Sequence, residues 1–140
     1  MKFKLENDEW LEKILGKKCY NLIYDQKEGK EFLSFPKGFI TCKLNSEYFK
    51  ESYYLQSKKF VFIDNQLTFT WKFQEKTTGN CCYLASKKDE KNVLKLCKFL
   101  ENSRFHIDKN ISFKESKMIK EQWVKNFFYG HRGDGLIVYK

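Results

Sequence analysis

The sequence has no long apolar run, and this absence limits where the chain is expected to work. No segment of the 140 residues approaches the apolar length needed to cross a membrane. The opening MKFKLENDEW also has no apolar stretch of signal-peptide length. We therefore expect no membrane partner and a cytoplasmic location.

Arginine is scarce and like charges do not cluster, although the chain is basic. The formal net charge is +9, but Arg104 and Arg132 are the only arginines. The lysines are scattered, with no run of five or more like charges that would mark a binding tail. Proteins that read phosphates and bases favour arginine because its planar fork makes bidentate contacts. The pattern favours a solvated lysine surface, and a nucleic-acid-binding protein is the weaker alternative.

The cysteines lack the spacing of a zinc site or a disulfide framework. There are five of them, an odd number, and no two form a CxxC pair. Cys19 and Cys42 lie in apolar, strand-like runs, and Cys97 lies on the apolar face of a predicted helix. A free buried cysteine behaves as a small hydrophobic residue. We therefore expect no metal site and a reducing compartment.

Apolar and aromatic residues are plentiful, at 41% and 18% of the chain, which argues against disorder. Hydrophobic periodicity predicts alternating helices and strands in both halves of the chain. The predicted helices cover 7–15, a segment beginning after Asn45 or Ser46, 88–101 and 112–128. The predicted strands cover 19–24, 39–44, 60–73, 81–85 and a last one from Leu136. The segment 102–110 is predicted to be a loop.

Two of these predictions rest on specific patterns. The stretch 60–73, FVFIDNQLTFTWKF, is the strongest strand signal, because its second half alternates apolar and polar residues. At the start of the last helix, Ser112 and Glu115 have the spacing of a capping box. The polar connector EKTTGN separates two predicted domains, 1–75 and 80–140.

Three short motifs follow one another in the second domain: SRF at 103–105, WVKN at 123–126, and a Gly-x-x-x-Asp turn at 130–134. In this order they resemble the central segment of GNAT-type acetyltransferases that act on nucleotide-linked amino sugars. FVFIDNQLTF resembles a strand of the same family more weakly. The resemblance implies an α/β fold, an incomplete GNAT-like fold with a mixed, mostly antiparallel sheet flanked by helices. Residues 1–75 would be an N-terminal accessory domain, partial and GNAT-like. Residues 80–140 would be the opening β-α-α-β of a GNAT domain.

The function implied by the resemblance is acetyl transfer from acetyl-CoA to a nucleotide-linked 4-amino-dideoxy sugar, for a bacterial-type cell-surface glycan. Candidate substrate-binding residues are Arg104, Phe105, Tyr129 and His131. Arg104 offers a donor fork for a phosphate or carboxylate, or else pairs with a nearby acid or helix end. Tyr129 and His131 flank the turn, where simple exposure is the alternative.

Two residues are candidates for the base that deprotonates the substrate amine. His106 is one candidate, because histidine is a common general base, and its alternative is a structural or surface role. Asp64 occupies the acidic position of the strand motif, and its alternative is to satisfy backbone groups at a bulge or turn.

One family feature is missing from the sequence. GNAT enzymes bind the pyrophosphate of acetyl-CoA with a Q/R-x-x-G-x-G/A loop at a helix N-terminus, and this sequence contains no such string. We expect the isolated chain to be inactive and to need a complementing C-terminal GNAT half or a homodimer. The alternative function is a non-catalytic interaction module that completes its sheet with a partner.

Overall fold

The computed structural model describes residues 1–69, 81–131, 133 and 135–139. The chain divides into two compact units, Met1–Phe62 and Ile63–Lys140, which we describe separately. The boundary predicted between the domains 1–75 and 80–140 lies outside the described residues.

Unit 1 is built on a three-stranded mixed sheet. Its strands are β1 (Phe3–Asn7), β2 (Cys19–Tyr24) and β3 (Phe39–Cys42), in the order β1-β2-β3. The central strand β2 runs antiparallel to β1 and parallel to β3. The predictions of β2 and β3 are confirmed. The strand β1 was not predicted, although Phe3 and Leu5 alternate with charged residues as in a half-buried strand.

Two helices accompany this sheet. The first, α1 (Glu9–Leu15), begins where the Leu11 N–H donates to the Asp8 carboxylate at 2.9 Å, one residue after the predicted cap. The second, α2 (Phe49–Ser57), begins later than predicted. Leu55 of α2 joins Phe3 and Leu22 in the core of unit 1.

Unit 2 places its helices between two short strands. Its elements are β4 (Cys82–Leu84), α3 (Glu90–Leu96), α4 (Arg104–Ile107), α5 (Phe113–Phe128) and β5 (Ile137–Tyr139). The strands β4 and β5 pair antiparallel. Both α3 and α4 pack against α5, whose buried face is centred on Ile119.

The predicted capping box at the start of α5 is confirmed. The Glu115 N–H donates to the Ser112 hydroxyl at 3.2 Å, and the Ser112 N–H donates to the Glu115 carboxylate at 2.6 Å. These bonds satisfy N–H groups that the first turn of a helix leaves without partners.

We expect Ser112→Ala to lower the free energy of unfolding by about 1 kcal/mol, because a helix N-terminal N–H loses its acceptor. Urea denaturation followed by circular dichroism measures this loss. Ser57→Ala is the control, since the Ser57 hydroxyl donates to the Tyr54 carbonyl and caps no N–H group. An equal loss in both variants would contradict the capping role.

The strand predicted over 60–73 is wrong for its described part. Residues 60–69 form no strand, and the Phe69 side chain is 87% exposed. The second half of the pattern, including Trp71 and Phe73, lies outside the described residues. Alternating apolar and polar residues allow one face of a strand to be buried. The strand itself forms only where a neighbouring strand accepts its hydrogen bonds.

The helix predicted over 88–101 is interrupted. It is replaced by a 3-10 turn at Lys87–Asp89, α3, and a second 3-10 turn at Cys97–Phe99. The first turn begins at a capping box in which Asp89 accepts from the Ser86 N–H. The loop predicted over 102–110 is also wrong in part, because it contains the single helical turn α4.

The α/β class is confirmed. The described residues form two separate sheets, one mixed with three strands and one antiparallel with two. Among these residues, none of the helices combines the length and apolar character that crossing a membrane requires.

Candidate functional site

The SRF motif forms the start of α4, and we call Ser103–His106 the SRF turn. The Ser103 hydroxyl lies 2.8 Å from Nδ1 of His106, and it makes no capping bond to the backbone. Arg104 is exposed, and its guanidinium carbon lies 4.7 Å from the centroid of the buried Phe105 ring. The ring therefore supports the guanidinium while leaving it open to solvent.

His106 is held on two sides. Its Nδ1 is engaged by Ser103, and its ring meets Phe113 edge-on at a centroid distance of 5.9 Å. The residue is half-buried. Because Nδ1 is occupied, Nε2 is the nitrogen through which the imidazole would meet a ligand.

A second group of candidate residues lies at the other end of α5, and we call it the Tyr129 corner: Lys87, Glu90, Tyr129 and His131. The Lys87 ammonium lies 3.7 Å from the centroid of the Tyr129 ring and 2.7 Å from the Glu90 carboxylate. The hydrogen bond to Glu90 raises the pKa of Lys87. One face of Tyr129 is thus already covered by a cation.

The Gly-x-x-x-Asp turn begins as the C-terminal cap of α5. Gly130 has a φ of 68°, and the His131 N–H donates to the Asn126 carbonyl at 2.9 Å. The Gly130 N–H donates to the Phe127 carbonyl at 3.3 Å, which completes a Schellman motif. His131 is exposed. Arg132 and Asp134, the other polar residues of the turn, lie outside the described part of the chain.

The helix α5 separates the two groups. His106 packs on Phe113, the first residue of α5, whereas Tyr129 follows its last residue. At a rise of about 1.5 Å per residue, the Cα atoms of Phe113 and Tyr129 are about 24 Å apart along the axis. A single sugar ring does not span that distance. The SRF turn and the Tyr129 corner therefore do not form one sugar-sized pocket.

Asp64 stands apart from both groups. It is exposed in the irregular segment 60–69, and the described residues give it no hydrogen bond or ion pair. Its role as a base stays a prediction without a structural partner.

The WVKN motif lies on the last turns of α5 and consists of half-buried residues. The Lys120 ammonium lies 4.4 Å from the Trp123 ring centroid, and the Gln122 side-chain amide donates to the side-chain oxygen Oδ1 of Asn126 at 3.2 Å. These contacts engage the side chains of the motif with neighbours on the same helix, which does not favour a ligand site there.

Sequence reasoning missed two partners of the candidate residues. The Ser-x-x-His spacing at a helix start was a signal for the bond between Ser103 and His106, since residues three apart meet on a helix. No local signal connects Lys87 to Tyr129, because the two meet only through the packing of unit 2.

Among the described residues, neither the turn after α5 nor the start of α5 fits the pyrophosphate of acetyl-CoA. The glycine-rich turn after α5 leads into β5 and not into a helix, so it offers no N-terminal N–H groups. The first turn of α5 is occupied by its own capping box. No three His, Cys, Asp or Glu side chains in the described ranges are grouped to hold a metal ion.

Known proteins give no further guide to the site: comparison of the chain with protein families, with curated proteins and with solved structures found no match.

Proposed function

We propose that this chain is the acceptor-binding part of a GNAT-type amino-sugar N-acetyltransferase, and that it binds a nucleotide-linked 4-amino-dideoxy sugar. The observation that carries the proposal is the order of elements in unit 2. The chain passes from β4 through α3, the single turn α4 and the long helix α5 to β5, and β5 returns antiparallel beside β4. With the single turn α4 counted as part of the connection, this order supports the opening β-α-α-β that the motif resemblance implies. The proposal requires that acetyl-CoA be bound by residues outside this sequence.

The exposed guanidinium of Arg104 suits the anionic part of such a substrate. A nucleotide-linked sugar carries a diphosphate, and a guanidinium on a supporting ring presents parallel N–H donors to phosphate oxygens. The Phe105 ring lowers the freedom of the Arg104 side chain before binding, so less conformational entropy is lost on binding. In this proposal Phe105 acts by supporting Arg104.

His106 lies two residues from Arg104 and suits the reacting amine. The contact of 2.8 Å between the Ser103 hydroxyl and Nδ1 orients the ring. In the tautomer whose Nδ1–H donates to the Ser103 hydroxyl oxygen, Nε2 carries no proton and can accept one from the amine nitrogen. The Tyr129 corner, about a helix length away, would contact only a distant part of the substrate or none of it. Asp64 remains the second candidate base.

Arg104→Ala tests the proposal. We expect this change to weaken binding of a nucleoside-diphosphate-linked 4-amino-dideoxy sugar by about tenfold to a hundredfold, the value of one charged hydrogen bond. Isothermal titration calorimetry on the purified chain measures it, with the nucleoside diphosphate alone as a second ligand.

Lys109→Ala is the matched control, because it removes one exposed positive charge from the segment that follows α4. It should leave the affinity nearly unchanged. Equal losses from both changes would indicate unspecific attraction to a basic surface and would contradict the role of Arg104. In the same apparatus acetyl-CoA should not bind; saturable binding that resists salt would contradict the requirement for an outside donor site.

A specific observation favours the interaction module as the second candidate function. The sheet of unit 2 has two strands in its described part, and its apolar side chains are exposed, among them Leu84, Ile137 and Tyr139. Two strands alone are rarely stable in water. A partner that adds strands would cover these side chains. A complementing GNAT half distinguishes the two functions. It should restore acetyl transfer to an enzyme part, whereas an interaction module would bind its partner without activity.

A further inference from the structure

The two edge strands of the sheet in unit 1, β1 and β3, differ in the hydrogen bonds on their outer sides. Along β1, the Phe3 N–H donates to the Lys30 carbonyl at 2.9 Å, and the Lys30 N–H donates back to Phe3 at 2.7 Å. An isolated bridge to Lys30 therefore covers the outer edge of β1 at Phe3. The bond from the Asp25 N–H to the Lys2 carbonyl at 3.2 Å lies on the other side of β1, where it continues the ladder with β2. No strand pairs with the outer edge of β3 among the described residues, which include the whole of unit 1.

The hydrogen bonds between β2 and β3 show which backbone groups of β3 face outward. The Phe39 N–H donates to the Lys18 carbonyl at 2.8 Å, so Phe39 points its backbone groups toward β2. In a parallel ladder alternate residues bond to the same neighbour. Thr41 consequently also faces β2, and Ile40 and Cys42 direct their N–H and C=O groups away from the sheet.

We infer that β3 pairs antiparallel with β3 of a second copy of this chain, about a two-fold axis at Thr41. In that register Ile40 lies opposite the partner's Cys42, and by symmetry Cys42 lies opposite the partner's Ile40. All the outward N–H and C=O groups of Ile40 and Cys42 then meet each other. The two sheets join into one sheet of six strands, through an isologous contact of the usual dimer type.

The side chains agree with this register. Thr41 lies opposite its own copy, and threonine pairs directly across antiparallel strands are favourable. Ile40 and Cys42 form apolar pairs on the opposite face. An edge strand that avoids pairing usually carries an inward charge or a proline, and Phe39–Cys42 has neither.

The net charge of the chain does not oppose the pairing at short range. The nearest flanking lysine is Lys43, which lies opposite the partner's Phe39. The two Lys43 residues are therefore about 13 Å apart along the strands, at about 3.3 Å per residue. This exceeds the screening length of about 8 Å at physiological salt. An acidic extended peptide is the other occupant that a basic, open edge would accept, and the experiment separates the two.

Disulfide capture tests the register. Thr41→Cys places two thiols face to face on the axis, where non-hydrogen-bonded antiparallel pairs approach most closely. Glu6→Cys is the matched control, because Glu6, Asn21 and Thr41 form one row across the sheet and Glu6 lies on β1, at the edge away from the proposed pairing. Both variants are made with Cys81→Ser and Cys82→Ser, since those two thiols are exposed. Burial raises the pKa of Cys42 to about 11, which keeps that thiol unreactive at pH 8.

At micromolar protein and under mild oxidation, the Thr41→Cys chain should form a disulfide dimer at least about tenfold faster than the Glu6→Cys chain, because pairing raises the effective thiol concentration. Equal rates would overturn the proposal.

Thr41→Lys is the second variant, since it sets like charges on the axis without touching the core. In sedimentation velocity the unsubstituted chain should form a dimer that depends on concentration. Thr41→Lys should shift this equilibrium toward monomer and leave the circular dichroism spectrum unchanged. An unsubstituted chain that stays monomeric at every concentration but binds an acidic strand peptide would overturn the dimer in favour of the peptide. The proposal is independent of the acetyltransferase assignment, which rests on unit 2.

Discussion

Replacing Phe3 by alanine should lower the free energy of unfolding of unit 1 by about 3–5 kcal/mol. The Phe3 side chain is 0% exposed and belongs to the core with Leu22 and Leu55. Its ring contacts Tyr24 and Tyr54 at centroid distances of 5.5 and 5.9 Å. Alanine would remove these contacts and leave a cavity between sheet and helix, which close-packed neighbours only partly fill.

A loss of this size is large for unit 1. Small domains are stable by about 5–15 kcal/mol, and a unit of about 60 residues lies near the low end of that range. Phe3→Ala should therefore remove most of the protection from hydrogen exchange in β1, β2 and α2. Mass spectrometry of the exchanged peptides measures this protection strand by strand.

Ile23→Ala is the matched control for Phe3→Ala. Ile23 lies in β2, one residue from the position opposite Phe3, and its side chain is 42% exposed on the other face of the sheet. We expect it to cost less than about 1 kcal/mol, because less apolar surface leaves the protein interior. Equal losses of protection in the two variants would contradict the burial pattern of β1.

The parts of the fold that the sequence predicted well are those with local causes. The capping box at Ser112 satisfies its own N–H groups within one helical turn, so its spacing is sufficient evidence. The strand β2 is a short apolar run that ends in a polar turn. Both features depend on neighbours in the chain and on little else.

The errors in the fold concern partners that are distant in the chain. The stretch 60–73 has the strongest strand signal, but its described part 60–69 forms no strand, whereas β1 finds a partner in β2. The prediction of one continuous helix over 88–101 is wrong for a local reason, because the hydrogen bonds of Asp89 favour a 3-10 turn before α3. The hydrophobic pattern of a segment indicates which of its side chains can be buried. Strand pairing also depends on a second segment, which that pattern does not identify.

The candidate site shows the same division. The SRF motif proved local: Ser103, Arg104 and His106 lie on one helical turn, and their contacts were within reach of a spacing argument. Tyr129 stays a candidate substrate-binding residue, but its distance from the SRF turn follows from a helix length that the sequence already predicted. The two ends of a helix over 112–128 are farther apart than the length of a sugar ring. The contact between Lys87 and Tyr129 needed the packing of unit 2 and had no signal in the sequence.

Replacing Ile119 by alanine should lower the free energy of unfolding of unit 2 by about 2–5 kcal/mol. Ile119 is 0% exposed on α5, the helix against which α3, α4 and the Cys97–Phe99 turn all pack. Met118→Ala is the control, since Met118 is 42% exposed on the same helix and should change the stability by less than about 1 kcal/mol. Hydrogen exchange within α3 and α5 distinguishes the two variants. Equal protection in both would contradict the buried face of α5. Because α4 packs against α5, Ile119→Ala should also loosen the SRF turn, and the proposed nucleotide-sugar binding should weaken in parallel with the lost protection of α5.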